Sequence, residues 1–148
     1  CSIIYKRIIM VRIGKEFIWE MSHRLPFHEG PCKNIHGHTY KMLLELVGEM
    51  NQNRMLIDFY DIEKIVRPLL DKIDHAFLVD SKDDLMLNFL KENQFKHYVI
   101  DNFSTAEDMS AYFLELLKPE FQKFENLKEL KIRVYETADA WAESESNL

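Results

Sequence analysis

The stretch "HEGPCKNIHGHTY", residues 28–40, sets a cysteine four residues ahead of a His-Gly-His. Imidazoles and thiolates are the side chains that bind a borderline-soft cation such as zinc. Two chemistries fit the spacing. In one, Cys32 joins the histidines in a closed structural site. In the other, nitrogen ligands leave one coordination position open, and the thiol stands beside the ion as a base or nucleophile. A buried thiol with no chemistry is a third reading, common for free cysteine. A second pair, Asp74-His75, sets a carboxylate beside an imidazole, which orients the ring and favours its charged form. Its plain alternative is a histidine that suits the dipole at a helix C-terminus.

Which reading holds depends on the faces these side chains take. From Met10 to His23 the sequence alternates. Val11, Ile13, Phe17, Trp19 and Met21 share one parity, with Lys15 the exception, and His23 falls on the same side. This pattern predicts a half-buried strand. A second strand spans His36 to Glu49, where His36 and His38 share parity with Tyr40, Met42 and Leu44. The intervening "LPFHEGPCKN" is a Pro- and Gly-containing loop, and neighbours of this kind usually pair antiparallel. Residues i and i+2 of a strand lie roughly 7 Å apart, from a rise of about 3.3 Å per residue. Imidazoles at that spacing can converge on one ion, and His23 from the paired strand completes a three-histidine set. Gly37 between the two leaves its side of the strand bare for close approach.

Further along, "IDFYDIEKIVRPLLDKID" predicts a helix with Asp58 as N-cap and a weak point or kink at Pro68. "DDLMLNFLKEN" reads as a short amphipathic helix and "HYVID" as a short strand. Ser104 and Glu107 in "STAE" have the spacing of a capping box for a following helix, expected to end at "LKPEF". "ELKIRVYET" is the last strand, with Glu136 on the parity of Ile132 and Val134; the acidic segment after Ala142 is expected to be a mobile tail. The element order implies an α+β fold, an antiparallel β-sheet with helices packed on one face.

The chain has 148 residues, expected to form a single domain, residues 1–148, with its core between about 10 and 140. A net charge of −6 argues against a general nucleic-acid binder but leaves room for a local cationic pocket. Two cysteines, Cys1 and Cys32, make no disulfide framework, and a reducing cytoplasm is the expected location. No apolar run approaches the roughly 20 residues that span a bilayer. Cys1 in first place suggests a lipid-anchored residue or, preferably, an upstream extension with Met10 as a possible original start.

The ordered set "WEMSHRLP", "CKNIHGHTY", "LIDF", "DH", "STAED" and "YET" resembles the 6-pyruvoyl-tetrahydropterin synthase and 6-carboxy-5,6,7,8-tetrahydropterin synthase family, over nearly the whole chain. The resemblance implies a tunnelling fold whose sheet closes into a barrel by oligomerisation, and a homohexamer, a dimer of trimers with active sites between subunits. It implies Zn2+ on His23, His36 and His38, and Cys32 as general base. It also implies Asp74 and His75 as a proton-relay pair, and Glu136 as the anchor of the pterin ring, itself often counted with the relay. Thr105 and Glu107 match a pocket motif. The implied substrate is 7,8-dihydroneopterin triphosphate, with neither nucleic acid nor membrane as partner. The implied reaction is a lyase step to 6-carboxy-5,6,7,8-tetrahydropterin, with loss of triphosphate and acetaldehyde, toward queuosine. The alternatives are 6-pyruvoyl-tetrahydropterin formation and a catalytically silent zinc- or pterin-binding oligomer. Met21, Arg54, Val79 and Ser104 depart from the family pattern, and residues 80–98 are longer than in compact members.

Overall fold

Alternation of apolar and polar side chains builds two fourteen-residue strands, β1 (Met10–His23) and β2 (His36–Glu49), in a computed structural model that describes residues 8–148. Cys1, and with it both readings of the first residue, lies outside the described residues. The two strands pair antiparallel along their whole length, from Met10 opposite Glu49 to His23 opposite His36. The odd-numbered residues of β1 and the even-numbered ones of β2 face the core, where Phe17, Trp19, Met21, Tyr40, Met42, Leu44 and Leu46 are buried. Lys15, the exception in the pattern, reaches Glu63 of the first helix at 3.4 Å.

Helix α1 (Phe59–Ile73) begins at Asp58, whose carboxylate accepts from Tyr60 N at 2.9 Å. It buries Ile62, Val66, Leu69, Leu70 and Ile73, and Pro68 sits inside it without ending it. Two elements then extend the sheet: β3 (Ala76–Asp80) parallel to β1, and β4 (His97–Ile100) parallel to β3, joined by α2 (Asp84–Glu92). The sheet is therefore mixed rather than wholly antiparallel. Strand β3 gave no alternation because Ala76, Phe77, Leu78 and Val79 are all buried. Leu78 belongs to the main core, whereas Phe77 and Val79 pack with Met86 and Leu90 of α2 in a second, smaller cluster.

Helix α3 (Ala106–Phe121) packs on β5 (Leu127–Tyr135) and β6 (Trp141–Asn147), and completes the strand order β4-β3-β1-β2-β5-β6. The helix ends at Phe121, the last residue of "LKPEF", with Pro119 inside it. One expectation is corrected here: the acidic tail is strand β6, antiparallel to β5. Ser144 and Ser146 bond to Ser110 and Lys118 of α3, both at 2.8 Å, while Glu143 pairs with Arg133 and Lys131. Its polar composition hid a strand held by hydroxyl contacts and cross-strand ion pairs rather than by apolar burial. The sheet is open in the single chain. The face away from α1 and α3 carries Glu16, Ile18 and Glu20, with Ile18 62% exposed. No helix among the described residues is long and apolar enough to cross a membrane.

Candidate functional site

The strand parity that fills the core also gathers the three histidines. One ring nitrogen from each of His23, His36 and His38 lies within 4.8 Å of the others. Ring centroids are 4.6 Å apart for His23 and His36, 5.3 Å for His23 and His38, and 4.9 Å for His36 and His38. His23 is fully buried; the other two are half-buried. Gly37, between His36 and His38, lies opposite Ser22, and a Cβ there would stand 3.2 Å from Met21 O. The close neighbour that glycine admits is thus the β1 backbone.

Two of the rings are oriented by backbone oxygens. His23 Nδ1 lies 2.8 Å from Ser104 O, and His36 Nδ1 lies 2.8 Å from Asn34 O. A carbonyl only accepts, so both Nδ1 atoms carry the proton and both Nε2 atoms present a lone pair. The Nε2 atoms of all three histidines are buried and make no hydrogen bond. Three unpartnered ring nitrogens gathered together, two of them acceptors, are costly without an electrophile, and this donor set suits a divalent transition metal. Burial lowers the His23 pKa to about 4, with the Ser104 bond acting against it and His36 and His38 adding to it. Burial likewise lowers His38, partly offset by Glu136. Neutral rings are what a metal requires.

The surrounding groups arrive from separate elements. Glu136, just past β5, places Oε1 3.5 Å from His38 Nε2, so it lies on the side expected from its parity. Tyr40 stacks on Trp19 at 5.5 Å and meets His38 and His23 edge-on, forming an aromatic wall beside the cluster. Burial raises the Tyr40 pKa, and Glu136 and Cys32 add to it, so both groups share its neighbourhood. Cys32 sits half-buried in a short 3-10 turn, Pro31–Lys33, whose carbonyl accepts from Leu25 N at 2.8 Å. Its sulfur is not among the converging ligand atoms.

Asp74 and His75 do not join this group within one chain. Asp74 caps the end of α1 and His75 follows it, with φ 56, in the left-handed region that non-glycine residues seldom adopt. Glu20 N donates to Asp74 Oδ1 at 3.0 Å, and His75 N donates to Glu20 O at 2.6 Å. Asp74 Oδ1 lies 3.0 Å from His75 Nδ1. The Glu20 amide, then His75, hold the Asp74 carboxyl below its ordinary range. The His75 ring is exposed beside a cavity lined by Glu20, Met21, Ser22, Gly37, His38 and Ala76, and its nitrogens are not among the converging ligand atoms. Lys96 Nζ binds the carbonyls of Asp71 and Asp74 at 2.8 and 2.6 Å, which fixes this turn.

The capping box is displaced by one residue. Thr105, not Ser104, is the N-cap of α3, accepting from Asp108 N at 3.2 Å, and Glu107 is exposed in the first turn. Ser104 is buried against His23 instead. Arg24, a cation adjacent to the site in sequence, is engaged in a two-pronged pair with Asp83 at 2.8 and 2.7 Å. The backing of His23 by Ser104 and of the Asp74 turn by Lys96 escaped sequence reasoning. Both are long-range contacts with no local spacing signal.

A sequence model of the family described as 6-pyruvoyl tetrahydropterin synthase matches residues 12–147. A 6-carboxy-5,6,7,8-tetrahydropterin synthase of Haemophilus influenzae is 34% identical over 142 residues, covering 90% of this chain and 98% of the relative. A protein of the same description from Aquifex aeolicus is 26% identical over 88% of this chain and 95% of its own. Among solved structures, the 6-pyruvoyl tetrahydropterin synthase of Plasmodium vivax superposes with a TM-score of 0.77 at 19% identity, covering 95% of this chain and 99% of that one. The Caenorhabditis elegans 6-pyruvoyl tetrahydropterin synthase gives a TM-score of 0.70 at 24% identity, over 95% and 98%.

Proposed function

The chain belongs to the 6-pyruvoyl tetrahydropterin synthase family, and from that premise we propose that it is a zinc-dependent lyase of the 6-carboxy-5,6,7,8-tetrahydropterin synthase type. Its substrate is 7,8-dihydroneopterin triphosphate, and triphosphate and acetaldehyde are lost. The observation that carries this reading is the end-to-end likeness to the Haemophilus influenzae relative of that description. The product belongs to the route toward queuosine, and the enzyme works in the cytoplasm.

His23, His36 and His38 would hold the metal. A Zn2+ ion there would supply Lewis acidity toward the substrate's side-chain hydroxyls. Cys32, carried by the loop between the two ligand strands, would take the proton from the neighbouring C–H as general base. Glu136 accepts two parallel hydrogen bonds from the amino-pyrimidinone edge of the pterin. Asp74 orients His75, which serves as the second acid/base. Thr105 and Glu107 belong to the pocket wall at the α3 N-terminus. His75 borders a cavity that also reaches His38 but stands outside the group of converging ligand atoms, so we read it as serving a site completed by a neighbouring subunit. That arrangement supports a homohexamer in which the uncovered sheet face, with Ile18 exposed, lines a closed barrel.

Mass analysis after incubating the zinc-loaded protein with 7,8-dihydroneopterin triphosphate tests the reading. The expected products are 6-carboxy-5,6,7,8-tetrahydropterin, triphosphate and acetaldehyde. A 6-pyruvoyl product without acetaldehyde would replace the proposed reaction, and absence of turnover with zinc bound would leave a silent binder. Cys32→Ala is expected to abolish turnover while retaining zinc.

A further inference from the structure

The three histidines are not held alike. His36 takes its partner from Asn34, two residues back, so its orientation is a local property of the strand entry. His23 takes its partner from a residue 81 positions away, in the connection between β4 and α3. Its Nδ1 lies 2.8 Å from Ser104 O and 3.2 Å from Ser104 Oγ. The direction of the second contact follows from a third. Ser104 Oγ donates to Arg24 O at 3.3 Å. With its one proton engaged there, the hydroxyl meets the imidazole as an acceptor. Both Ser104 oxygens therefore accept from the same Nδ1–H, and the hydroxyl also ties Ser104 to Arg24, the residue just past the end of β1.

The segment that carries Ser104 is itself held on both sides. Thr105 caps α3, and Phe103 N donates to Asp108 Oδ2 at 3.1 Å. The Arg24 guanidinium is forked onto Asp83, the N-cap of α2, whose side chain is only 5% exposed. Ser104 is 3% exposed and His23 is fully buried, so no bulk water competes for the ring nitrogen.

We infer that Ser104 is a positioning residue for His23, fixing the Nδ1–H tautomer and the ring angle so that the Nε2 lone pair faces the other two imidazoles. The inference rests on the metal site proposed above. A partner on the far nitrogen of a ligating imidazole sets both its direction and its basicity, and losing such a partner typically weakens metal binding by about 10–100-fold. Ser104→Ala keeps the carbonyl but loses the second acceptor and the tie to Arg24, so the low end of that range, about tenfold, is expected. Ser104→Thr keeps the hydroxyl and is expected to restore most of the affinity.

Two measurements test this. A long-range proton–nitrogen spectrum of metal-free wild-type protein reads the His23 tautomer with no variant needed. Protonation at Nδ1 is expected, and protonation at Nε2 would overturn the inference. Zn2+ affinity by chelator competition is then compared among wild type, Ser104→Ala and Ser104→Thr, beside the metal-free melting temperature of each. The expected pattern is an affinity loss confined to alanine, with metal-free stability little changed. Equal Zn2+ affinities in wild type and Ser104→Ala would overturn this role alone, whereas a wild type that binds no Zn2+ would overturn the metal reading and this role with it.

Discussion

Gly48→Ala places a methyl group where the backbone of another strand already stands. The added carbon would lie 2.2 Å from Asn126 O, 3.0 Å from Leu127 Cα and 3.1 Å from Asn126 C. All three are main-chain atoms, so no rotamer change relieves the overlap. Asn126 is also tethered. Its carbonyl accepts from Glu49 N at 2.9 Å, and its amide donates to Glu49 O and Leu56 O, both at 2.8 Å. Reaching an ordinary contact requires the start of β5 to retreat by roughly 1 Å, which stretches those three bonds. Each contributes about 1 kcal/mol, and an overpacked site adds about 1–3 kcal/mol. A loss of about 4 kcal/mol is expected. At about 2–4 °C per kcal/mol for a chain of this size, the melting temperature should fall by about 10 °C. The site should be spared, because Gly48 and His36 are separated by nearly the whole of β2, roughly 40 Å at a rise of about 3.3 Å per residue. Scanning calorimetry with and without Zn2+ measures both quantities. A variant that melts within about 2 °C of the parent would refute the reasoning.

Chelation of the metal should lower the melting temperature, by the equivalent of about 4 kcal/mol relative to protein at a thousandfold excess of Zn2+ over its Kd; His36→Ala should melt at one temperature whether Zn2+ is present or not. Lys96→Met removes the ammonium from the carbonyls of Asp71 and Asp74 and so loosens the turn that carries His75; steady-state assays should show reduced turnover with zinc content unchanged. The Asp74 carboxyl is held below its ordinary value near 3.8, chiefly by the Glu20 amide. Its contribution is present above that value and is lost as pH falls through the lower native one. Acid unfolding followed by circular dichroism should therefore be shallower below about pH 4 in Asp74→Asn than in the parent. Deleting residues 141–148 removes β6 and its bonds to α3, and light scattering should then show aggregation through the bared β5 edge.

Alternation located β1 and β2 to the residue, and with them the convergence of His23, His36 and His38, because the ribbon has no bulge between the histidines and the core residues that share their parity. Periodicity and capping chemistry likewise gave α1 and Asp58. Strand β3 was illegible because its burial on both sides erases the period-two signal, and β6 because it is stabilised by serine hydroxyls and charge pairs. Ser104 was misread as a helix cap. Its spacing to Glu107 was suitable, but its hydroxyl is drawn to His23, 81 residues away, and Thr105 takes the cap. The placement of His75 beside Glu20 comes from the parallel docking of β3 on β1, a pairing that local pattern does not encode.

The His23–His36 pair, which ends the β1–β2 ribbon, divides the labour of this protein between two kinds of chain. Residues 24–35 leave and return through that pair, and Cys32 travels with them. The three imidazoles are written into the ribbon; the thiol proposed as the base is written into the excursion. Shortening, lengthening or rewriting the excursion would exchange one reactive group for another while the imidazoles stayed where they were. An ion at the base would act as a clasp on the two ends, making such edits cheap in closure entropy. A lineage built this way can diversify its reactions by loop replacement alone.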